Sequence, residues 1–316
     1  MSEPRRHHLV PQFYLKRFAD NKERIVMISR DQKTRATTKV RNACLETDFY
    51  AVEGENGRSQ DVERLLSDHI ESPGAAGIER ILKGEFPPKP EDRGAIAIFV
   101  AFQCLRGNVT RTGYNQVVDA LSKFTLANTT SKVIRDVVLK QEGREPTAEE
   151  IQRQKAFLVD TDKYNIVPHQ NDSIRAMLNM APGLANIIAN RKWFLVDHAE
   201  PCLVTSDEPV VRWSDPQKLD SFSHGWGTAD ELRMPLTPRY CLVMTWEAST
   251  REQVVHLGSK LGPQMARGTN FLIAAHAFRW IFQHPDTDPL NGVILPPRPE
   301  PMVIDGPKGR IIPDDW

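Results

Sequence analysis

The stretch AIAIFVAFQCLR, residues 95–106, decides how the rest of the chain is interpreted. Residues 95–102 are apolar all round a helix, which indicates a central, buried helix rather than one on the surface. The preceding acids Glu91 and Asp92 suit the positive end of a helix. We therefore predict a helix from Glu91 to about Leu126, with residues 95–102 in the core of the protein.

Strand-forming segments precede this helix. RIVMISR (24–30) and TRATTKV (34–40) are rich in β-forming residues, and the DQK between them supplies a turn, so they predict a hairpin. A short strand ending near Val52 should follow. A helix capped by Ser59 and a second short helix over residues 74–84 then lead into the buried helix.

More helices follow the buried one. Thr147 and Glu150 form a capping box that predicts the start of a helix. Asn171 or Asp172 should cap the next helix, in which Pro182 is expected to produce a kink.

The pattern changes after Arg191. Short β-rich runs separated by Pro, Asp, Gly and Ser predict antiparallel strands, namely WFLVDH, PCLVTS, PVVRW and YCLVMTW. A last helix is predicted from about Pro263 to Phe282, and a Pro-rich, extended tail follows it.

The order of elements predicts the fold class. It comprises an N-terminal strand hairpin, a central helical block with one buried helix, C-terminal antiparallel strands and a final helix. Segregated strands and helices of this kind are typical of an α+β fold. We predict a single domain over residues 1–284 and a Pro-rich C-terminal tail over residues 285–316.

Charge is balanced over the chain but uneven along it. The 316 residues include 41 basic and 41 acidic side chains, so the total charge points to no partner. Residues 1–41, however, contain 11 Lys or Arg against 4 Asp or Glu, a net of +7. This segment predicts an attraction for nucleic acid or a nucleotide, although the same charges would also suit a solvated strand pair.

The cysteines and the apolar runs suggest a location. Cys44, Cys104, Cys202 and Cys241 form no close pair, which argues against a zinc–thiolate site and favours free thiols in a reducing compartment. No apolar run near residue 1 resembles a signal peptide, and the most apolar stretch is too short to span a bilayer. We expect a soluble, cytoplasmic protein without membrane contact.

Common catalytic motifs are absent from the sequence. It contains no phosphate-binding loop ending in Gly-Lys-Ser/Thr, no GxGxxG after a strand, no HExxH and no GxSxG. Any hydrolytic site must therefore be assembled from distant segments. A divalent metal is a candidate cofactor of such a site, although no motif assigns its ligands.

The first candidate segment is HHLVPQFYLKRF, residues 7–18. Pro11 stiffens it, and an apolar set (Phe13, Tyr14, Leu15 and Phe18) could anchor it to the body of the protein. An anchored His8 could act as a general base, a phosphate donor or a metal ligand, with His7 and Tyr14 nearby as substrate-binding residues. The alternative is that His8 is a structural, hydrogen-bonded histidine.

The second candidate pair follows the apolar run. Gln103 and Arg106 are three residues apart and share a helix face. A guanidinium close to the core requires either a carboxylate partner from another element or a cavity in which it binds an anion. Both alternatives stay open from the sequence alone.

The third candidate is the turn in PCLVTSDEPV, residues 201–210. Ser206, a candidate substrate-binding residue, and Asp207 lie at the end of a predicted strand, where a carboxylate can line a cleft. Asp is equally common as a turn former that binds its own backbone. We expect this turn and the HHLVP segment to meet in space, with Arg106 nearby, because buried polar groups associate.

The sequence resembles a family. HHLVPQFYLKRFAD, DFYAVE, FQCLRGNVTR, WFLVDHAEPCLVTSDEPV and MPLTPRYCLVM follow, in order, the elements of a prokaryotic family catalogued as domain of unknown function 4238. The resemblance spans roughly residues 7–282. It implies that motif positions are occupied by His8, Pro11, Tyr14, Phe18, Arg106, Ser206, Asp207 and Pro209. It also suggests a bacterial accessory or defence-associated factor, but implies no established activity.

Two functional hypotheses follow. In the first, the protein is a cytoplasmic hydrolase, a nuclease or nucleotide-phosphate hydrolase. His8 is then the acid/base group, Arg106 and Gln103 hold a phosphate, and Asp207 orients the histidine or binds a metal. In the second, it is a non-catalytic binding or sensor module with a structural His-Arg-Asp network.

Overall fold

The structure is a computed structural model. It describes residues 6–297 except 48, 50, 51, 55, 56, 60, 219–224, 248 and 250. The chain divides into two compact units, of which the described parts are residues 6–110 with 174–297, and residues 111–173. The predicted domain limits at residues 284 and 285 stay a prediction.

The described strands lie in the first unit. They are β1 (Arg6–His8), β2 (Arg24–Ser29), β3 (Arg35–Lys39), β4 (Leu45–Thr47), β5 (Val52–Gly54), β6 (Gly57–Ser59), β7 (Lys192–Asp197), β8 (Thr205–Ser206), β9 (Val211–Trp213), β10 (Glu231–Pro235), β11 (Tyr240–Thr245), β12 (Gln253–His256) and β13 (Trp280–Gln283). One sheet has the order β12-β7-β11-β10-β9 and another the order β3-β2-β13-β8. β1 pairs with β4 and β5 with β6. Neighbours are antiparallel except β12 and β7, which are parallel.

The helices occupy both units. They are α1 (Gln12–Leu15), α2 (Asp61–Leu65), α3 (Ser72–Leu82), α4 (Pro90–Leu105), α5 (Asn108–Ala127), α6 (Ser131–Glu142), α7 (Ala148–Val159), α8 (Gln170–Ala189) and α9 (Leu261–His276). A π-helical turn over Leu66–Glu71 joins α2 to α3. The predicted α+β class, the β2–β3 hairpin and the Thr147–Glu150 capping box are confirmed.

Helix α4 forms the centre of the first unit, as predicted. Its residues 99–105 are all buried, and they belong mainly to one large core cluster. Helix α3 packs closely on it, because a Cβ atom added to Gly74 would lie 2.7 Å from the Cβ of Phe99. Only a residue without a side chain permits this approach.

The prediction of one helix from Glu91 to Leu126 is wrong, because the chain breaks between α4 and α5. At the break, a Cβ atom on Gly107 would lie 1.9 Å from Glu208 Oε2. The Glu208 Oε1 atom accepts a hydrogen bond of 2.9 Å from the backbone N–H of Val109, in the first turn of α5. A carboxylate from a distant segment therefore occupies the place that a continuous helix would need.

Two other predicted boundaries are wrong. Helix α9 ends at His276, and Trp280–Gln283 forms β13 between β2 and β8 instead of continuing the helix. Helix α8 begins at Gln170, so Asn171 and Asp172 lie within its first turn rather than at its cap. In β13 the side chains of Ile281 and Phe282 are fully buried, and burial of this kind suits a central strand as well as a helix.

The segment from His7 to Phe18 is packed against the first unit, as predicted. Tyr14, Leu15 and Phe18 are completely buried in the main core cluster, and Phe13 packs at its edge with its ring 5.4 Å from that of Phe99. Burying each large side chain contributes about 1.5–3 kcal/mol. These contacts offset the entropy lost when the segment is fixed.

The second unit has its own buried contacts. Ile134 and Val138 of α6 are buried, and Tyr164 stacks on Phe157 of α7 with ring centroids 5.2 Å apart. Residues 285–297 belong to the first unit. They contain turns at residues 285–286 and 289–292, and Leu290 is buried in a smaller apolar cluster, so this part of the predicted tail lies on the protein.

The tight packing of α3 on α4 gives a stability prediction. Gly74→Ala should lower the free energy of unfolding by about 1–3 kcal/mol, because Phe99 must move to admit the new methyl group. Gly94→Ala on α4 is the matched control, since no atom lies within 4 Å of its added Cβ. This change should raise stability by about 0.5–1 kcal/mol through helix propensity. Urea unfolding of both variants measures the difference, and equal effects would contradict the packing argument.

Candidate functional site

Strand pairing fixes the two N-terminal histidines. β1 places His7 opposite Glu46 and His8 opposite Leu45 of β4, and the Leu9 N–H donates to the Cys44 carbonyl. The Nδ1 atom of His8 lies 3.2 Å from the carbonyl oxygen of Ala43. Because a carbonyl only accepts, Nδ1 carries the proton in the neutral ring and Nε2 carries the lone pair.

A cavity of about 350 Å³ lies beside His8. Its described lining comes from β1 and α1 on one side and from α2, the π-helical turn and α3 on the other. The lining residues are His8, Pro11, Gln12, Phe13, Glu63, Leu66, Ser67, Glu71, Ser72 and Ala75. Two carboxylates and an imidazole therefore share a cavity with the aromatic ring of Phe13, and this described lining contains no Lys or Arg.

The carboxylates that line the cavity contact charged or ionisable side chains behind them. His7 is 1% exposed, and its Nε2 lies 3.4 Å from Glu63 Oε2. Arg106 is also buried, and its Nη1 donates to Glu71 Oε1 at 2.7 Å. Of the two alternatives for Arg106, the structure thus shows a carboxylate partner from another element. The pair neutralises part of the charge of Glu71.

Gln103 lies on the same helix as Arg106. It is 2% exposed, and neither atom of its amide group has a hydrogen-bond partner among the described residues. Leaving a buried polar group without a partner costs about 1–3 kcal/mol. Gln103 therefore differs from a merely structural polar residue, which would be hydrogen-bonded.

Asp207 binds the backbone of the chain. Its Oδ1 accepts from the N–H of Phe278 at 2.8 Å, and its Oδ2 accepts from those of Arg279 and Trp280 at 2.7 and 2.9 Å. Burial raises the pKa of Asp207 to about 6, against the opposing effect of these three amides. Asp207 thus holds the turn between α9 and β13. It is not among the described residues that line the cavity.

The other two predicted hydroxyl residues also make internal contacts. The Ser206 hydroxyl donates to the Glu208 carbonyl at 2.8 Å, within its own turn. The Tyr14 hydroxyl donates to the Pro235 carbonyl and lies 2.8 Å from Thr205 Oγ1. Burial raises the pKa of Tyr14. Both hydroxyls connect elements of the fold.

The predicted segments converge near Cys44. The Cys44 thiol is buried, which is the main cause of its raised pKa, and it lies within electrostatic reach of Asp207, Arg106 and Glu208. Since Cys44 also binds the Leu9 backbone, the HHLVP segment, Arg106 and the SDEPV turn occupy one region. His8 faces the cavity there, while Asp207 faces the α9–β13 turn.

Sequence analysis missed the carboxylates of this region. Glu63 and Glu71 line the cavity, Glu46 accepts from Asn108 Nδ2 at 2.6 Å, and Glu208 caps α5. Glu63 and Glu71 stand in a segment that predicts an ordinary amphipathic helix, where charges usually face solvent. Glu208 follows Asp207 in the predicted turn, and no local pattern marks it as the cap of a distant helix.

Metal ligation has no support in the described ranges, where no group of three or more His, Cys, Asp or Glu side chains could hold a metal ion. The helices of the same ranges include none with both the length and the apolar composition needed to cross a bilayer. The four cysteines are free.

Comparison with known proteins identifies the family. The model of a family described as "Protein of unknown function (DUF4238)" matches residues 6–287, so the chain belongs to this family, and the sequence resemblance is confirmed. No curated protein and no solved structure matches the chain.

Asp207→Asn tests the backbone role of this carboxylate. Whichever way the new amide is turned, its NH₂ group faces at least one of the three backbone N–H donors, which then loses its acceptor. We expect a loss of about 1–3 kcal/mol in the free energy of unfolding, and hence a lower Tm. Asp286→Asn is the control, because this side chain is 86% exposed. Thermal unfolding at neutral pH measures both, and an unchanged Tm for Asp207→Asn would refute the role.

Proposed function

We propose that this member of the DUF4238 family is a binding or sensor module whose ligand is a small organic cation held in the His8 cavity. The observation that carries the proposal is the lining of this cavity, in which His8, Glu63 and Glu71 meet beside Phe13. A volume of about 350 Å³ lies within the range of small-molecule sites, roughly 300–1,000 Å³.

The chemistry of the lining favours an amine or a guanidinium group. Glu63 and Glu71 supply carboxylate oxygens, which accept charge-assisted hydrogen bonds from a cation. Phe13 adds an aromatic side chain to the lining, and aromatic rings attract cations. A phosphate would meet the two carboxylates with no Lys or Arg in the described lining to offset them, so an anion is disfavoured.

The remaining candidate residues support a structural network around this cavity. Arg106 pairs with Glu71, Asp207 binds three backbone amides, and Tyr14 joins β8 to β10. In the basic N-terminal segment, ion pairs also occupy many of the described cations. These pairs are Lys16–Glu23, Arg17–Glu79, Arg24–Asp20, Lys33–Asp31 and Arg35–Asp288. They favour a solvated surface over a polyanion site.

Calorimetric titration with the diamine cadaverine tests the proposal. Wild type should bind it, and Glu63→Gln should weaken binding at least roughly fivefold because a charge-assisted hydrogen bond is lost. Glu85→Gln is the matched control, since Glu85 is a surface residue paired with Lys89 outside the described lining. Failure of wild type to bind cadaverine, putrescine or agmatine at millimolar concentration would overturn the proposal.

A cytoplasmic hydrolase acting on nucleic acid or a nucleotide is the second candidate. The observation that favours it is the position of His8, whose imidazole lines the cavity while the Ala43 carbonyl lies 3.2 Å from its Nδ1, because a general base must be held in a defined position beside its substrate. A role in bacterial defence, which the family resemblance suggests, would fit this activity. The free thiols of Cys44, Cys104, Cys202 and Cys241 support a reducing, cytoplasmic location.

The hydrolase candidate predicts activity on pooled DNA, RNA or nucleotides, measured with and without a divalent metal. His8→Ala should lower the rate at least about a hundredfold, the usual contribution of a general base. Gln12→Ala, a neighbouring change in the cavity lining, should retain most activity. Binding of the same polyanions should fall steeply with salt if the basic segment takes part. Equal rates for wild type and His8→Ala would exclude His8 as the base.

A further inference from the structure

Helix α5 turns a charged side toward the rest of the second unit and an apolar side toward solvent. Asp119 Oδ1 accepts a hydrogen bond of 2.5 Å from the Ile166 N–H. Lys123 donates to Asn165 Oδ1 at 3.2 Å and lies over the ring of Tyr164. The side chains of Asp119 and Lys123 are therefore only 25% and 17% exposed. A helix on a protein surface normally shows the opposite arrangement, with its apolar side on the core.

The apolar side of α5 is a stripe of four residues spaced three, four and three apart, namely Tyr114, Val117, Leu121 and Phe124. Val117 is 45% exposed, Leu121 62% and Phe124 41%, which is more than the two charged side chains that pack inward. The structure describes the whole of α5, and none of its residues is buried. Helices in proteins gain most of their stability from packing of their apolar side, so this stripe has the composition of a surface that is covered.

The second unit has little core of its own. Among residues 111–173, all of which the structure describes, the buried apolar side chains are those of Ile134 and Val138. Units of this size are marginally stable even with a full core, and oligomerisation is one of the usual ways in which they are stabilised. A partner that covers the stripe of α5 would supply the packing that the unit lacks.

We propose that this stripe is a dimerisation surface, on which α5 of a second copy of the chain packs antiparallel to the first. The spacing of the stripe is the same in both directions along the helix. A two-fold axis midway between Val117 and Leu121 therefore places Val117 of each copy against Leu121 of the other. The same axis places Tyr114 against Phe124. The contact is self-complementary and closed, and the opposed helix dipoles favour the antiparallel direction.

The residues around the stripe favour a second copy over other partners. Gly113, Ala120 and Thr125 flank it, so neither the stripe nor its edges carry a charge that would select an acidic or a basic partner. A helix that lies on a membrane is rich in Lys and Arg on its polar side, whereas the polar side of α5 carries Asp119 and packs inward.

The size of the contact sets its strength. The stripe spans about three helical turns and is smaller than a standard interface, which buries roughly 1,600 Å² in total. The dimer should therefore be weak, with a Kd on the order of 1–100 µM.

Sedimentation velocity of the full chain between about 1 and 300 µM tests the proposal. Wild type should change from monomer to dimer over this range. Val117→Glu and Leu121→Lys should each weaken dimerisation at least roughly tenfold, because a charge placed in an apolar contact loses its hydration without gaining a partner. Val167→Lys is the control. This side chain is 75% exposed in the same unit and follows Ile166, which contacts the opposite side of α5, so dimerisation should be unchanged. Circular dichroism should show that all three variants are folded.

An equimolar mixture of Val117→Glu and Leu121→Lys tests the antiparallel pairing. In the mixed dimer the new glutamate faces the new lysine, and the remaining Val117–Leu121 contact is restored, so the mixture should associate at least about fivefold more tightly than either variant alone. A mixture no more dimeric than its components would overturn this pairing. Wild type that stays monomeric at about 300 µM, or a dimer that Leu121→Lys leaves intact, would overturn the dimerisation surface itself. None of these outcomes bears on the His8 cavity.

Discussion

The polar groups where α4 ends and α5 begins must find hydrogen-bond partners inside the protein, and the rest of the first unit is arranged around this constraint. Residues 99–107 are all buried, so the guanidinium of Arg106 cannot rely on water, and the adjoining start of α5 presents N–H donors that need acceptors. Carboxylates from three distant segments supply the partners. Glu71 binds Arg106, Glu208 binds the Val109 N–H, and Glu46 binds Asn108. The Thr110 hydroxyl adds a bond to the Cys104 carbonyl.

This arrangement explains why residues of types common in catalytic sites instead hold elements of the fold together. Hydrogen bonds of Asp207 and Ser206 fix the turn that positions Glu208 at the α4–α5 junction. The Tyr14 hydroxyl fixes α1 to the neighbouring strands. A buried polar network of this kind gives a specific arrangement only when its members are paired. His8 lies at the edge of the network, where its imidazole is partly buried and faces the cavity. It is the candidate that combines a defined position with access to a ligand.

The sequence predicted those features that depend on neighbouring residues. The apolar run 95–102 predicts the buried helix, the 24–40 segment predicts its hairpin, and Thr147 with Glu150 predicts a helix start, because each pattern is local. The break at Gly107 could not be predicted, since its cause is the carboxylate of Glu208, about 100 residues away in the sequence. The strand β13 has the composition of a buried helix end and is defined by its pairing with β2 and β8. Glu63 and Glu71 carry no motif, so the acidic side of the cavity is visible only in three dimensions.

The position of β13 has a consequence for the order in which the protein can fold during synthesis. β13 lies between β2, from the start of the chain, and β8, from its second half. The β2–β3 hairpin emerges early from the ribosome, yet its partner in the sheet emerges after more than two hundred further residues. Until then, the inner edge of β2 presents unpaired backbone groups, which is the kind of edge that invites pairing with other chains. The tertiary contacts of the first unit are therefore completed late, and its early segments depend on the last strand to close their sheet.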